Sequence, residues 1–291
     1  MSKTPIRLSK TGVVASVVGS LALVSLAFNV WLFTISSTGA KLVSQLSDAP
    51  TGSQPIPRII HQSWKTHDIP KDRFGNWDET WKLQNPEYKY ILWDDSENEA
   101  LIRNHYPWFL NQYLSYDRGI NRADAVRVFY MHKFGGVYVD LDIAAYKPLD
   151  NLLLDHHLVL AKMEVPGEHS WEHKHEIPNA WMASRPGHSF WMHCAHLMMS
   201  TNSEGTEEKT GPVMIWNALK TFNTSAAVKT DPIHVAGPES IYPYSWSFEK
   251  TDDAVHRVCS KQRKSFDETK CRHLVDPDNR AYAISYWSHT W

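Results

Sequence analysis

Length, composition and charge set the first limits on this chain. It has 291 residues, of which 42% are hydrophobic and 21% charged, so it can bury a sizeable core and is not a disordered protein. The formal net charge of -2 lacks the basic surplus of a nucleic-acid-binding protein, so no nucleic-acid partner is expected. Three cysteines are too few for a disulfide scaffold or a four-cysteine zinc site.

The first 55 residues predict attachment to a membrane. Residues 13–35 carry no charge, and as a helix rising ~1.5 Å per residue they span about 34 Å, enough to cross a bilayer. Lys3, Arg7 and Lys10 precede this run, which places the N-terminus in the cytosol. We therefore predict a cytosolic tail over 1–12, a transmembrane signal anchor over 13–35 and a stem over 36–55. The alternative is a signal peptide cleaved after Ala40, although such peptides have apolar runs of only ~7–15 residues.

Two further features suit an oxidising, glycosylating compartment. Asn223-Thr224-Ser225 is an N-glycosylation sequon. Cys259 and Cys271 are close enough in sequence to form a disulfide, although the sequence leaves open whether they do.

From residue 56 onward, predicted strands alternate with predicted helices. Strands are expected over 58–61, 88–93, 137–141 and 158–160. Helices are expected over 78–83, over 97–104, and from an N-cap at Asn121 to Phe134, where Gly135-Gly136 ends the last of them. This alternation predicts an α/β domain with a mostly parallel central sheet and helices on both faces.

The strand over 137–141 leads into two acidic residues. Asp140 and Asp142 are two positions apart, so in a strand both point to one side, at the edge where open α/β sheets bind ligands. Two carboxylates suit Mg²⁺ or Mn²⁺ bridging a diphosphate, whereas the plainer interpretation is a solvated strand end. Asp124 and Arg127, at i and i+3 of the preceding helix, could bind a phosphate. Their spacing alone favours a surface ion pair.

Several segments together resemble one enzyme family. They run from Ile56 to Lys65, Asn85 to Tyr88, Trp93 to Asp95, Ala123 to Asp142 and Lys147 to Asp150. This set resembles glycosyltransferase family 32, the Asp-x-Asp sugar transferases that include fungal α-1,6-mannosyltransferases and inositol-phosphoceramide mannosyltransferases. The resemblance implies a GT-A nucleotide-sugar transferase fold for a catalytic domain over 56–291. It also implies a nucleotide-sugar donor, Mn²⁺ or Mg²⁺, and retention of the anomeric configuration.

The resemblance also implies roles for individual residues. The catalytic set is Asp124, Arg127, Asp140 and Asp142. The donor-binding set is Trp64, which stacks on the base, with Asp124, Arg127, Tyr138, Asp140, Asn179 and Trp291. The metal ligands are Asp142, Asp140 and His289, and the loop Thr210-Gly211-Pro212 lies by the reaction centre.

The C-terminus departs from the family pattern. Ser285 and Tyr286 stand where the family has two histidines, and His289 stands where it has glycine. His289 could restore the third metal ligand from a shifted position. A histidine-rich segment over 168–175 is interpreted as a polar loop facing the acceptor rather than as a metal site.

These observations lead to one expected function and two alternatives. We expect a hexosyltransferase of the Golgi or ER membrane, with its catalytic domain in the lumen, that moves mannose from GDP-mannose to a glycan or sphingolipid acceptor. The first alternative is a UDP-hexose-dependent transferase of the same family. The second is a degenerate, non-catalytic binding protein anchored in the membrane.

Overall fold

The computed structural model describes residues 56–165, 171–246, 254–261 and 263–288. The predicted tail, anchor and stem, together with His289 and Trp291, lie outside these residues. Within the described ranges, no helix has the length and apolar character needed to cross a membrane.

Eight strands alternate with twelve helices in the described residues. The strands are β1 Ile59–Ser63, β2 Lys89–Trp93, β3 Gly136–Val139, β4 Ile143–Ala145, β5 Leu158–Ala161, β6 Trp181–Ser184, β7 His234–Ala236 and β8 Ala283–Ser285. The first six helices are α1 Lys71–Phe74, α2 Trp77–Gln84, α3 Asp95–His105, α4 Leu110–Ser115, α5 Gly119–Lys133 and α6 Asp150–Leu153. The other six are α7 Ser189–Ser200, α8 Thr206–Lys209, α9 Pro212–Asn223, α10 Pro238–Ile241, α11 Ala254–Cys259 and α12 Glu268–Val275. Two 3₁₀ turns cover Trp171–His175 and Ala226–Lys229.

The central sheet is mixed. Its strand order is β2-β1-β3-β6-β5-β7. β1 is parallel to both β2 and β3, and β5 is parallel to β7, whereas β6 is antiparallel to both β3 and β5. The prediction of a mostly parallel sheet is corrected in this half, because β6 runs antiparallel to both of its neighbours. In the described residues of the connection from β5 to β6, a 3₁₀ turn stands in place of the crossover helix that a parallel pair needs.

A second, two-stranded sheet pairs β4 with β8 antiparallel, with Ile143 opposite Ser285. The pairing continues beyond β8, where the Tyr286 N–H donates to the Asp142 carbonyl at 2.9 Å. The C-terminal segment is thereby held beside the Asp-x-Asp pair.

The start and end of α5 show how local sequence directs the chain. The helix begins at Gly119 with Arg118 as its N-cap, so the prediction of an N-cap at Asn121 is wrong. The Asn121 side chain is buried and donates instead to Thr210 Oγ1 at 2.9 Å. The predicted end is confirmed, because Gly135 and Gly136 take φ values of +64° and +88° that favour glycine.

The core packs against both sheets. Ile60, Val137 and Val159 of the central sheet are fully buried, and they form one cluster with the fully buried rings of Trp81 and Trp181. A second cluster, around Trp77 and Tyr286, contains the sulfurs of Cys259 and Cys271. These two cysteines form a disulfide that joins α11 to α12, while Cys194 is buried and unbonded.

Candidate active site

The candidate site lies along the carboxyl ends of three neighbouring strands. β2, β1 and β3 are adjacent and parallel, and the chain leaves them at Asp94, Trp64 and Asp140. Ser63 pairs with Trp93, and the Trp64 N–H donates to the Trp93 carbonyl at 3.0 Å. The residues that follow these strands therefore meet at one edge of the sheet, where open α/β sheets bind ligands.

A cavity of about 300 Å³ opens along this edge. It brings together five residues predicted from the sequence, namely Trp64, Arg127, Tyr138, Asp140 and Asp142. Other lining residues were not predicted, among them Lys65, Phe74, Asp95, Arg118 and the first residues of α5. Lys65 and Asp95 end two of the segments that carry the family resemblance, and each of these residues lies within two residues of a strand or helix end.

Arg127 is the centre of a buried charge cluster. Its Nη2 lies 2.8 Å from Asp124 Oδ1 and its Nη1 lies 3.3 Å from Asp140 Oδ1. The Arg127 and Asp124 side chains are only 3% and 8% exposed, so the predicted surface ion pair is wrong. Removing one partner of such a pair leaves an uncompensated buried charge, which costs about 3–5 kcal/mol.

Hydrogen bonds to neutral groups complete this cluster. Arg127 Nη1 also donates to the Asn179 carbonyl at 2.8 Å, and Asn179 Nδ2 donates to Asp124 Oδ1 at 3.0 Å. The Tyr138 hydroxyl donates to Asp140 Oδ1 at 2.7 Å, and the Arg127 guanidinium lies 4.4 Å from the Tyr138 ring centre. These four contacts, together with the two ion pairs of Arg127, fix the side chains before any ligand arrives.

Burial is the largest cause of the pKa shifts of the two aspartates in the cluster. It raises the pKa of Asp124 to about 6 and that of Asp140 to about 7, even though Arg127 opposes both shifts. The charge of Asp142 raises the pKa of Asp140 further. Burial works against the charge of Arg127, but Asp140 and Asp124 together raise its pKa above the usual value.

The two Asp-x-Asp carboxylates lie in a turn rather than in a strand. β3 ends at Val139, and the Ile143 N–H donates to the Asp140 carbonyl at 3.3 Å as the chain turns toward β4. The prediction of a strand through residue 141 is therefore corrected. Leu141, between the two aspartates, is buried in the cluster that contains Phe74, and both aspartates line the cavity.

The C-terminal segment supports Asp142 directly. Asp142 Oδ2 accepts hydrogen bonds from the Ser288 N–H at 2.8 Å and from Ser288 Oγ at 3.0 Å. No sequence signal marked Ser288, because its contact depends on the pairing of β4 with β8.

The donor set at this turn fits a divalent cation. Asp124 and Asp140 are buried carboxyl groups that contact Arg127, and the buried carboxylate of Asp142 is close enough to raise the pKa of Asp140. Carboxylate oxygens are the ligands that Mg²⁺ and Mn²⁺ prefer. Asp140 and Asp142 therefore offer suitable ligand atoms, and their assignment as the metal ligands stays a prediction.

The loop Thr210-Gly211-Pro212 lies beside Asp124. A Cβ added to Gly211 would be 3.5 Å from Asp124 Oδ2, and the Thr210 side chain is buried. The described end of the histidine-rich segment is not an exposed loop, because His175 is buried and its Nε2 lies 3.1 Å from Glu207 Oε2.

The sheet edge, the buried Arg127 cluster and the Asp-x-Asp turn define a site of the sugar-transferase class. Residues 71–159 match the family model described as a glycosyltransferase sugar-binding region containing a DXD motif. The resemblance found in the sequence is confirmed over this part of the chain, which is similar to the sugar-binding regions of DXD glycosyltransferases.

Several curated relatives are fungal enzymes. Over 35% of this chain, it is 48% identical to inositol phosphoceramide mannosyltransferase 3 of Schizosaccharomyces pombe, covering 28% of that protein. It is 34% identical to inositol phosphoceramide mannosyltransferase 1 of the same organism, over 58% of this chain and 50% of that one. The matched stretch thus spans half or less of each relative's length. Among solved structures, the PaToxG glycosyltransferase aligns with a TM-score of 0.46 at 16% identity, over 68% of this chain and 83% of that chain.

Proposed function

We propose that this protein is a retaining hexosyltransferase of the GT-A type that moves mannose from GDP-mannose to a sphingolipid or glycan acceptor. The observation that carries the proposal is the convergence of Trp64, Arg127, Asp140 and Asp142 on one cavity at a sheet edge. The names of the relatives, inositol phosphoceramide mannosyltransferases, support mannose as the sugar and a sphingolipid as the acceptor.

The cavity suits an extended nucleotide sugar. Trp64 is half-buried, and its ring meets that of Phe74 edge-on, with ring centres 5.2 Å apart. The exposed part of the Trp64 ring can therefore stack on a base. Arg118, the N-cap of α5, supplies positive charge for the diphosphate. Asp124 and Asn179 hold hydroxyls of the donor sugar, as the family resemblance implies.

Leaving-group stabilisation is the main requirement of the proposed reaction. Asp140 and Asp142 would hold the divalent cation, which would supply positive charge to the departing diphosphate. Arg127, rigidly held by Asp124 and Asn179, presents a fixed positive charge to the same group without reorganisation.

Retention can follow from attack on the face that the diphosphate leaves. The bond between the anomeric carbon and the phosphate oxygen breaks, and the acceptor oxygen bonds to that carbon from the same side. The leaving phosphate oxygen takes the acceptor proton, so no carboxylate nucleophile is needed. A double displacement through a carboxylate is the less favoured route.

We further propose that the protein is a single-pass type II protein of the Golgi or ER membrane, with its catalytic domain in the lumen. The uncharged run over 13–35, the sequon at Asn223 and the disulfide between Cys259 and Cys271 support this location.

A donor screen tests the proposed activity. The full-length protein is incubated with Mn²⁺ and GDP-mannose, UDP-glucose, UDP-galactose or UDP-N-acetylglucosamine, and release of the nucleotide is measured. We expect turnover with GDP-mannose, and a loss of several orders of magnitude in Asp142→Asn. Asp155→Asn is the matched control, because Asp155 is exposed and does not line the cavity.

The outcomes separate the alternatives. Turnover with a UDP-hexose alone would keep the enzyme class and replace the donor. A folded wild type that is inert with every donor would favour the non-catalytic binding protein.

A further inference from the structure

The order of the strands places different residues at the two ends of the cavity. Because β1 lies between β2 and β3, the residues after these strands form a row of Asp95, then Trp64, then Asp140 and Asp142. The metal and diphosphate belong at the Asp140 end of this row. A base stacked on Trp64 therefore turns its outer edge toward Asp95.

Asp95 differs from the other carboxylates around it. Asp94 and Glu97 are both used by the capping box of α3, in which Asp94 accepts from the Glu97 N–H and Glu97 accepts from the Asp94 N–H. In the part of the chain that the structure describes, no hydrogen bond or ion pair engages the Asp95 carboxylate. It lies exposed at the cavity rim, with the charges of Arg122, Asp94 and Lys65 around it.

A carboxylate at this position distinguishes between bases. Guanine presents two adjacent donors, N1–H and the 2-amino group, which match the two oxygens of a carboxylate in a bidentate pair. Uracil presents one N–H between two carbonyl oxygens, and a carboxylate repels those oxygens. Adenine places a ring-nitrogen acceptor beside its amino group, which a carboxylate also disfavours.

We propose that Asp95 is the specificity-determining residue for the nucleotide, and that it selects a guanine nucleotide by accepting hydrogen bonds from N1–H and the 2-amino group. This inference rests on the proposed function, since it takes the cavity to be the donor site. If the inference is correct, the Asp95 side chain alone makes the protein bind GDP donors in preference to UDP donors.

Nucleotide binding tests this proposal without depending on turnover. Binding of GDP, inosine diphosphate and UDP to the full-length protein is measured by calorimetry in the presence of Mn²⁺. Inosine diphosphate keeps N1–H and lacks only the 2-amino group. We expect wild type to bind GDP about tenfold more tightly than inosine diphosphate, and to bind UDP more weakly still.

Two variants isolate the contribution of Asp95. Asp95→Asn replaces one acceptor oxygen by a donor, so GDP binding should weaken about tenfold and the preference for GDP over inosine diphosphate should nearly vanish. Glu99→Gln is the matched control, because Glu99 lies on the same helix, pairs with Arg103 and does not line the cavity. Its nucleotide affinities should equal those of wild type.

Clear results would overturn the proposal. If Asp95 only stabilises the first turn of α3, Asp95→Asn will lower the melting temperature and leave the ratio of GDP to inosine diphosphate affinity unchanged. Wild type that prefers UDP would also overturn it. Selective GDP binding that depends on Asp95, without sugar transfer, would support this inference while contradicting the proposed catalysis. No nucleotide binding at all would overturn both.

Discussion

His61 shows how a single buried side chain can be assigned a protonation state. Its Nδ1 lies 3.0 Å from Trp93 Nε1, which can only donate, so Nδ1 must accept. Its Nε2 lies 2.9 Å from the Gly135 carbonyl, which can only accept, so Nε2 must carry the proton. His61 is therefore neutral in the folded protein. Burial lowers its pKa to about 4, although the Gly135 carbonyl opposes the shift.

A pH dependence follows from His61. Because its folded pKa is lowered, the unfolded chain takes up the proton first as the pH falls. The free energy of unfolding should therefore decrease from about pH 6.5 down to about 4, by an amount on the order of 3 kcal/mol. Urea denaturation at pH 7 and pH 5 measures the change. In His61→Gln, whose amide can make the same two hydrogen bonds without titrating, the decrease should be smaller, and equal decreases in both proteins would refute the assignment.

Ser288 provides a second prediction for a single residue. Ser288→Ala removes the hydroxyl bond to Asp142 Oδ2 and keeps the backbone bond, so Asp142 should be held less firmly. We expect the Mn²⁺ concentration for half-maximal binding to rise several-fold, as loss of about 1 kcal/mol implies. Titration of Mn²⁺ by electron paramagnetic resonance measures this.

Ser285→Ala is the control for that titration. In the described part of the chain, the Ser285 hydroxyl is buried and has no hydrogen-bond partner, so its removal should leave Mn²⁺ binding unchanged. Equal effects of the two substitutions would mean that the segment contributes only packing.

Gly136 allows strand β3 to lie close to strand β1. At φ +88°, a Cβ on Gly136 would lie 2.6 Å from the Ile59 carbonyl oxygen, so β3 could not approach β1. Gly136→Ala should therefore lower the free energy of unfolding by more than about 2 kcal/mol. Gly75 has φ +57° and open space around it, so Gly75→Ala measures the backbone strain alone. If chemical denaturation gives both variants the same loss, the close approach of β3 and β1 is not the constraint.

The elements that the sequence predicted well are those with local signals. β1, β2, β5, α2 and α3 each lie within two residues of the predicted range, because apolar runs mark the strands and Asn85-Pro86 marks the end of α2. The strand β6 and the helices α7 and α9 were not predicted. The direction of β6 could not be predicted, because it depends on pairing Val137 with Ala183, far apart in the chain.

In the candidate site, too, the features with a local sequence signal were predicted and those that depend on long-range contacts were not. The predicted residues from Asp124 to Asp142, with Asn179, do come together, because one helix-turn-strand segment carries most of them. Burial of Arg127 could not be predicted from its i, i+3 spacing. The support from Ser288 requires the long-range pairing of β4 with β8.

At the scale of the whole molecule, topology remains a prediction. Asn223 is exposed at the end of α9, where a glycan can be accommodated. When the protein is expressed in glycosylating cells, Asn223 should carry a glycan, seen as a mass shift that Asn223→Gln abolishes. The protein should also stay with the membrane on carbonate extraction. A soluble product that begins near Lys41 would show that the apolar run over 13–35 is a cleaved signal peptide.

The buried carboxyl groups of Asp124, Asp140 and Asp142 have a consequence for the stability of the protein in the cell. A divalent cation held by Asp140 and Asp142 would favour the charged forms of both side chains, and a donor that binds together with this cation would bind the folded state alone. At a donor concentration of one hundred times Kd, such binding adds about 2.7 kcal/mol to the free energy of unfolding. The amount of protein in the cell should then rise and fall with the donor concentration. When the donor is scarce, a larger fraction of the chains is unfolded and can be degraded.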